Sequence, residues 1–304
     1  MGRSPFNLTL VPVAPKTSVR AGLAGYVALT KPRIIELLLV TTVPTMFVAE
    51  QGVPSVWLMA ATVVGGTLAA GGANAINMVI DLDIDRVMER TRNRPLVTGV
   101  VGTTGAVVFA VSLEVLAFAW LLATVNLLSA VLALSATVFY VFVYSMWLKR
   151  ISTTNIVVGG AAGAVPVLVG WSAVTGSLHW PPVVLFLLVF YWTPPHFWAL
   201  AIRYQDDYAA AGVPMLPAVT GSRATAHRIV VYTAILVVVT LVFSPVAEMG
   251  AVYLLAALVL GAVFLALALG VRADPNERTA MRLFHYSITY VTLLFGAMIV
   301  DVLI

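Results

Sequence analysis

Apolar residues run along this chain in nine long blocks, roughly 34–49, 56–80, 100–120, 125–147, 155–173, 182–202, 229–246, 251–271 and 281–302, separated by short polar loops. Each block is close to the ~20 residues that an α-helix needs to cross the hydrocarbon core of a bilayer. Lipid offers no partner to an unpaired backbone N–H or C=O, so blocks of this length predict helices rather than open strands. The pattern specifies an all-α, polytopic membrane bundle of about nine transmembrane helices. Charge orients it. All 17 Lys and Arg lie before block 1 or at its edge, in the loops after blocks 2, 4 and 6, or around the turn before block 9; the opposite loops carry only Glu50, His179 and Glu248 as titratable residues. The positive-inside rule then expects a plasma-membrane protein with a cytoplasmic N-terminus and, after nine spans, a C-terminus outside.

Composition sharpens this. Of 304 residues 61% are hydrophobic and only 10% charged, more apolar surface than a soluble domain can bury. The net charge of +4 describes one membrane face, not a nucleic-acid surface. Cysteine is absent, which excludes disulfides, thiolate metal sites and cysteine nucleophiles. Residues 1–22 are basic, free of acids and interrupted by Pro5, Pro12 and Pro15, with no secretory apolar core. They are expected to be a mobile cytoplasmic tail; a transit peptide would share the lack of acids, but the prolines break its amphipathic helix. Residues 23–304 are expected to form a single intramembrane domain, because the loops leave no room for a second.

The chemistry concentrates where block 2 ends. Asn77, Asp81 and Asp85 are spaced i, i+4, i+8, which on a helix stacks three oxygen-bearing side chains on one face. Acids at a membrane edge are costly unless they hold something. Hard oxygen ligands suit Mg²⁺, which typically bridges carboxylates to substrate phosphates. Arg92 and Arg94, close behind, offer forked donors to the same phosphates. The combination asks for a diphosphate substrate. A calcium loop is excluded, since Arg86 stands where its sharp turn needs Gly and Arg92 where its bidentate Glu belongs. Asp83 turns away from the other acids and reads as a solvated helix end.

Other residues admit two readings each. Lys31 and Arg33 flank Pro32 at the start of block 1 and either anchor the helix at headgroups or bend over the diphosphate. Lys149-Arg150 reads more as an anchor, and Glu36 as a partner for a nearby cation. Block 6 echoes block 2, ending in Arg203 and Asp206-Asp207 on the same side. His196, just after Pro194-Pro195, is either a hydrogen-bonded structural residue or a contact to a haem iron or porphyrin carboxylate. The aromatic stretch around it, with Trp192 and Trp198, serves packing or lines a flat apolar acceptor. Glu114, in mid-block 3, needs a partner or a proton. Gly65-Gly66, Gly71-Gly72 and Gly159-Gly160 mark close helix packing.

Several of these stretches together resemble the intramembrane UbiA-type prenyltransferases, and within them the haem O synthase (protohaem IX farnesyltransferase) branch. They are Thr30-Lys31-Pro32-Arg33, Asn77 through Asp85, Arg90-Thr91-Arg92-Asn93-Arg94-Pro95-Leu96, Trp192-Thr193-Pro194-Pro195-His196-Phe197-Trp198, Asp206-Asp207-Tyr208, Gly212-Val213-Pro214-Met215-Leu216-Pro217 and Leu283-Phe284-His285-Tyr286-Ser287. The resemblance runs from about residue 29 to the C-terminus. Where other branches carry further aspartates in the second motif, this chain has Tyr204 and Tyr208, which weakens the case for a second full Mg²⁺ site. The resemblance implies farnesyl diphosphate and haem b as substrates, Mg²⁺ as cofactor, and haem O as product, passed on to a haem A synthase. It implies Asn77, Asp81 and Asp85 as metal ligands, with Arg92, Arg94, Lys31, Arg33 and Arg203 on the diphosphate. Asp206 and Asp207 are then second-line contacts, and His196 with Trp198 the haem contacts. A quinone-precursor or chlorophyllide acceptor on the same fold is the nearest rival. A secondary transporter would place its charges at mid-membrane, not at one face.

Overall fold

A computed structural model describes residues 19–304, and every regular element among them is a helix. Most of the tail expected over 1–22 falls outside the described residues; residues 19–22 open the first helix, α1 (Val19–Leu29). Then come α2 (Pro32–Glu50), α3 (Val56–Ile80), the short α4 (Leu82–Val87), α5 (Thr103–Thr124) and α6 (Leu127–Val138). α6 runs on as a π-helix, Phe139–Leu148, and a last turn, α7 (Lys149–Ile151). The remainder is α8 (Asn155–Thr175), α9 (Trp180–Arg203), α10 (Gln205–Ala210), α11 (Leu216–Val246), α12 (Ala251–Ala273) and α13 (Glu277–Leu303).

Eight helical segments among the described residues are long and apolar enough to cross a membrane. They match blocks 2 to 9, and block 1 lies within the 19-residue α2. Local chemistry sets the starts. Pro32 begins α2, where its missing N–H costs nothing. Asn126 accepts from the Ser129 N–H at 2.8 Å to open α6, and Asn276 makes a reciprocal capping box with Thr279 for α13. Block 7 begins earlier than its hydropathy suggests, because α11 includes the polar stretch from Ser222 to Arg228. At Gly221 (φ 79°, ψ 164°) the chain leaves helical geometry, so a short turn precedes the long span.

α3 packs along α5, α9 along α8 and α11, and α12 along α13. Without water between them, membrane helices associate through close approach of small residues. Gly170 of α8 shows the limit: a Cβ there would lie 2.5 Å from the Thr42 carbonyl oxygen of α2. Large apolar side chains such as Val115 and Leu255 point outward, as a lipid-facing surface requires. The C-terminal ends of α3, α7 and α9, the α1–α2 junction and the N-terminus of α13 are joined by side-chain contacts into one polar end of the bundle.

Candidate active site

At that polar end α3 stops at Ile80, and Asp81 (φ −86°, ψ 7°) separates it from α4. The expected single helical face is therefore broken, yet its spacing survives. The Asp81 N–H donates to the Asn77 carbonyl at 2.9 Å, and the Asp85 N–H to the Asp81 carbonyl at 2.8 Å. Asn77, Asp81 and Asp85 end up together and buried, with Asp81 at 0% and Asp85 at 2% exposure. Asn77 Nδ2 donates to Asp81 Oδ2 at 2.8 Å and to Ser145 Oγ at 3.0 Å.

Three cations close over these acids. Lys31 Nζ donates to Asn77 Oδ1 at 2.8 Å, Lys149 pairs with Asp81, and Arg94 donates to Asp85 Oδ2 at 2.6 Å. Lys31 sits between α1 and α2 in the left-handed region (φ 52°, ψ 65°), an uncommon conformation for a side-chain-bearing residue before proline. Asn74 Nδ2 holds that junction by donating to the Thr30 carbonyl at 3.0 Å. Such strain persists where surrounding contacts over-determine it, and here it aims the amine at Asn77. Burial, then the neighbouring Arg94 and Lys149, push the Lys31 ammonium down to about 7. Two carboxylates thus face three basic side chains.

Asp83 points outward as expected, and Arg150 grips it with both terminal nitrogens, at 2.7 and 2.8 Å. That hydrogen bonding holds its carboxyl down at about 2. Lys149-Arg150, read from the sequence as an anchor, thus supplies one partner to Asp81 and another to Asp83. The π-helix makes this possible. Its wider turn lets Ser145 Oγ donate to the Tyr140 carbonyl, five residues back, at 2.9 Å, while the same oxygen accepts from Asn77. Ser145 and Lys149 were the residues missed. The only trace of them in the sequence is polar side chains at i, i+4 closing an otherwise apolar block.

The two acidic motifs meet through the backbone. Asp207 accepts from the backbone N–H of Glu89 and of Arg90, at 3.3 and 3.2 Å, and so ties the loop after α4 to α10. Asp206 is exposed. Arg33 is exposed on α2, Arg92 forms a surface pair with Glu89 at 2.9 Å, and Arg203 pairs with Glu277 at 3.2 Å. Those three arginines stand apart from the aspartates. Arg90 and Arg203 lie over the Tyr204 ring, their guanidinium carbons 5.4 and 5.5 Å from its centroid.

His196 lies inside α9, stacked between Trp192 (4.4 Å) and Phe284 (4.6 Å), with Nδ1 2.7 Å from Ser287 Oγ. Trp198 is 1% exposed and meets Tyr232 edge-on at 5.2 Å, within the core. Glu114 accepts from Thr137 Oγ1 at 3.1 Å and faces Gly72, away from the cluster.

The donor set suits a hard divalent cation. Asp81 Oδ1 is buried with no hydrogen-bond partner, an unmet acceptor beside two more oxygen-bearing side chains. Among the described residues no group of three His, Cys, Asp or Glu is gathered for a metal, so a cation held here would draw on the Asn77 amide oxygen or on substrate oxygens as well.

Comparison with known proteins shows the family and the fold. Residues 38–293 match the UbiA prenyltransferase family. A protohaem IX farnesyltransferase of Parafrankia sp. (strain EAN1pec) is 55% identical over 277 residues, covering 90% of this chain and 88% of its own. A solved digeranylgeranylglyceryl phosphate synthase shares the fold with a TM-score of 0.76 at 18% identity, over 92% of this chain and 98% of that one. A UbiA homologue from Archaeoglobus fulgidus bound to GPP and Mg²⁺ has a TM-score of 0.65 at 17% identity, over 91% and 99% of the two chains.

Proposed function

This chain belongs to the UbiA prenyltransferase family, and from that premise we infer that it transfers the farnesyl group of farnesyl diphosphate to a vinyl group of haem b, giving haem O. The acceptor follows the likeness to the protohaem IX farnesyltransferase relative. The diphosphate half is carried by one observation: a buried, unpartnered Asp81 oxygen inside a cluster whose cations outnumber its carboxylates.

Asn77, Asp81 and Asp85 are the residues that would hold Mg²⁺, a reading supported by the Archaeoglobus homologue that binds it together with GPP. Bound there, Mg²⁺ would screen the diphosphate oxygens and favour their departure. Lys31, Lys149 and Arg94 face the same place and stabilise the negative charge that grows on the leaving group. Asn77, Asp81 and Asp85 hold these three side chains at the site, and a metal bound there would release them toward the diphosphate. The C1–O bond breaks and the diphosphate leaves with its electron pair. The vinyl carbon of haem b attacks the allylic cation, and water captures the resulting benzylic-type cation with loss of a proton, leaving a hydroxyethylfarnesyl group. Asp207 acts at one remove, by holding the loop that carries Arg94.

Residues 23–304 act as one intramembrane unit in the plasma membrane, with the site facing the cytoplasm. This placement is supported by the 17 Lys and Arg assigned to one side of the sequence. The C-terminus then lies outside, and a haem A synthase would take the product. The test is binding of a non-ionising farnesyl thiodiphosphate to purified protein with and without Mg²⁺. Wild type should bind at least tenfold more tightly with Mg²⁺, and Asp81→Asn should lose that dependence. Equal Mg²⁺ enhancement in both proteins would remove Asp81 from the metal.

A further inference from the structure

The same end of the bundle carries a second charged concavity, of about 380 Å³, outside the aspartate cluster. Arg203 of α9 lines one wall, and Glu277, Arg278, Met281, Arg282 and His285 of α13 line the other. Arg203 Nε is 3.2 Å from Glu277 Oε1, both half-exposed. Among the described residues neither Arg278 nor Arg282 makes an ion pair or side-chain hydrogen bond. Three guanidiniums against one carboxylate leave an excess of positive charge on a structured wall, and the reaction at the aspartates does not use it.

The surroundings say what shape of anion fits. Arg278, Arg282 and His285 fall at i, i+4, i+7 on α13, along one face. That face continues through Thr292, Gly296 and Ile299, which line a mostly apolar groove of about 450 Å³ against Leu39, Val40, Val43 and Pro44 of α2, with Glu36 at its edge. From His285 to Thr292 the helix rises about 10 Å. The His285 ring meets Phe284 edge-on at 5.4 Å, and Phe284 stacks on His196. One ring, Tyr204, separates Arg203 from Arg90 and the loop that bears Arg94. The surface therefore pairs a forked cationic head with an aliphatic groove, one ring away from the loop that bears Arg94.

We propose that Arg203, Arg278, Arg282 and His285 bind the paired propionate carboxylates of the porphyrin acceptor, and that this anchorage decides which edge of the macrocycle is offered for farnesylation. Haem b carries both carboxylates on one edge and its vinyl groups on the opposite half. Two guanidiniums one helical turn apart, about 6 Å, match two carboxylates on a rigid edge better than the single charge of a phosphodiester headgroup. Glu277 competes for Arg203 and limits the affinity. The inference rests on a porphyrin being the acceptor, and its test separates the two.

Full-length protein in nanodiscs of zwitterionic lipid is titrated with haem b and with its dimethyl ester, following the Soret band, and turnover of each is measured with farnesyl diphosphate. In wild type the ester should bind about tenfold more weakly than haem b. Arg278→Gln with Arg282→Gln should raise Kd and KM for haem b about tenfold and abolish the discrimination. The KM for farnesyl diphosphate should stay within about twofold. Glu277→Gln, which frees Arg203, should tighten haem b binding by a few-fold. A double variant that discriminates against the ester as strongly as wild type overturns the proposal. So does an arm with added phosphatidylglycerol in which the arginine changes remove only a lipid response, which would make the pocket a headgroup site. A wild type that binds haem b in preference to its ester but never farnesylates it supports the pocket and sinks the acceptor reading. One that farnesylates both equally keeps the acceptor and sinks the pocket.

Discussion

Lys149→Met isolates the least expected part of the site, because it removes a cation while keeping an apolar chain of similar length. Lys149 is 13% exposed and its partner Asp81 1%, so solvent screens the pair little. Asp81 would keep one hydrogen bond, from Asn77 Nδ2 at 2.8 Å, and its other oxygen already lacks a partner. Leaving one member of a buried pair uncompensated costs about 3–5 kcal/mol; with Lys31 and Arg94 still nearby, we take the low end, about 3 kcal/mol. Removing one charge-stabilising donor from a leaving group lowers kcat by about 10²–10³-fold. A third consequence distinguishes this from general damage. Lys149 and Mg²⁺ compete for Asp81, so added Mg²⁺ should raise the thermal midpoint of Lys149→Met by more than that of wild type. The assay is thermal unfolding in detergent across a Mg²⁺ series, with single-turnover farnesylation beside it. If Lys149 merely anchors the helix at headgroups, Lys149→Met will match wild type within about twofold in rate and show the same Mg²⁺ response, which would refute the reasoning.

Three further outcomes follow from particular contacts. Lys31 is held near 7, so it loses its proton as pH rises from about 7 to 9 and an incoming anion must draw that proton back; KM for farnesyl diphosphate should climb over this range. Lys31→Arg, charged throughout, should flatten the climb, and an unchanged slope would take Lys31 out of the diphosphate site. Asp207→Asn weakens the acceptor for two backbone N–H groups, so trypsin should cut between 90 and 94 at least several-fold faster than in wild type. Equal cleavage would show that the loop is held elsewhere. Gly170→Ala puts a methyl 2.5 Å from the Thr42 carbonyl, a backbone atom that cannot swing aside; it should cost about 1–3 kcal/mol in stability, read by denaturant unfolding in detergent. A neutral result would mean that α2 and α8 slide apart freely.

The helices were readable because lipid leaves so few alternatives: an apolar block of the right length has to be helical, and blocks 2, 5 and 8 begin at residues 56, 155 and 251 as their helices do. Asn77, Asp81 and Asp85 were readable because oxygen-bearing groups spaced by four inside an apolar run are costly without a task. Lys149 was not, since a lysine at a helix end looks the same whether it anchors or pairs. What settles its role is the π-helical turn before it, and Phe139 to Leu148 carry no residue that announces that register. The resemblance groups Arg33, Arg92 and Arg203 with the diphosphate; in the structure Arg33 is exposed, Arg92 pairs with Glu89 and Arg203 with Glu277. The pocket shared by α9 and α13 joins residues 203 and 278, a separation over which neither spacing nor periodicity carries information.

The most direct test of the central claim is mass spectrometry of haems extracted after membranes containing this protein are supplied with haem b, farnesyl diphosphate and Mg²⁺, with Asp81→Asn run alongside. The account predicts a hydroxyethylfarnesyl haem in the wild-type sample and none in the variant. Folded wild-type protein that leaves haem b unmodified, or a variant that makes haem O at the wild-type rate, would contradict it.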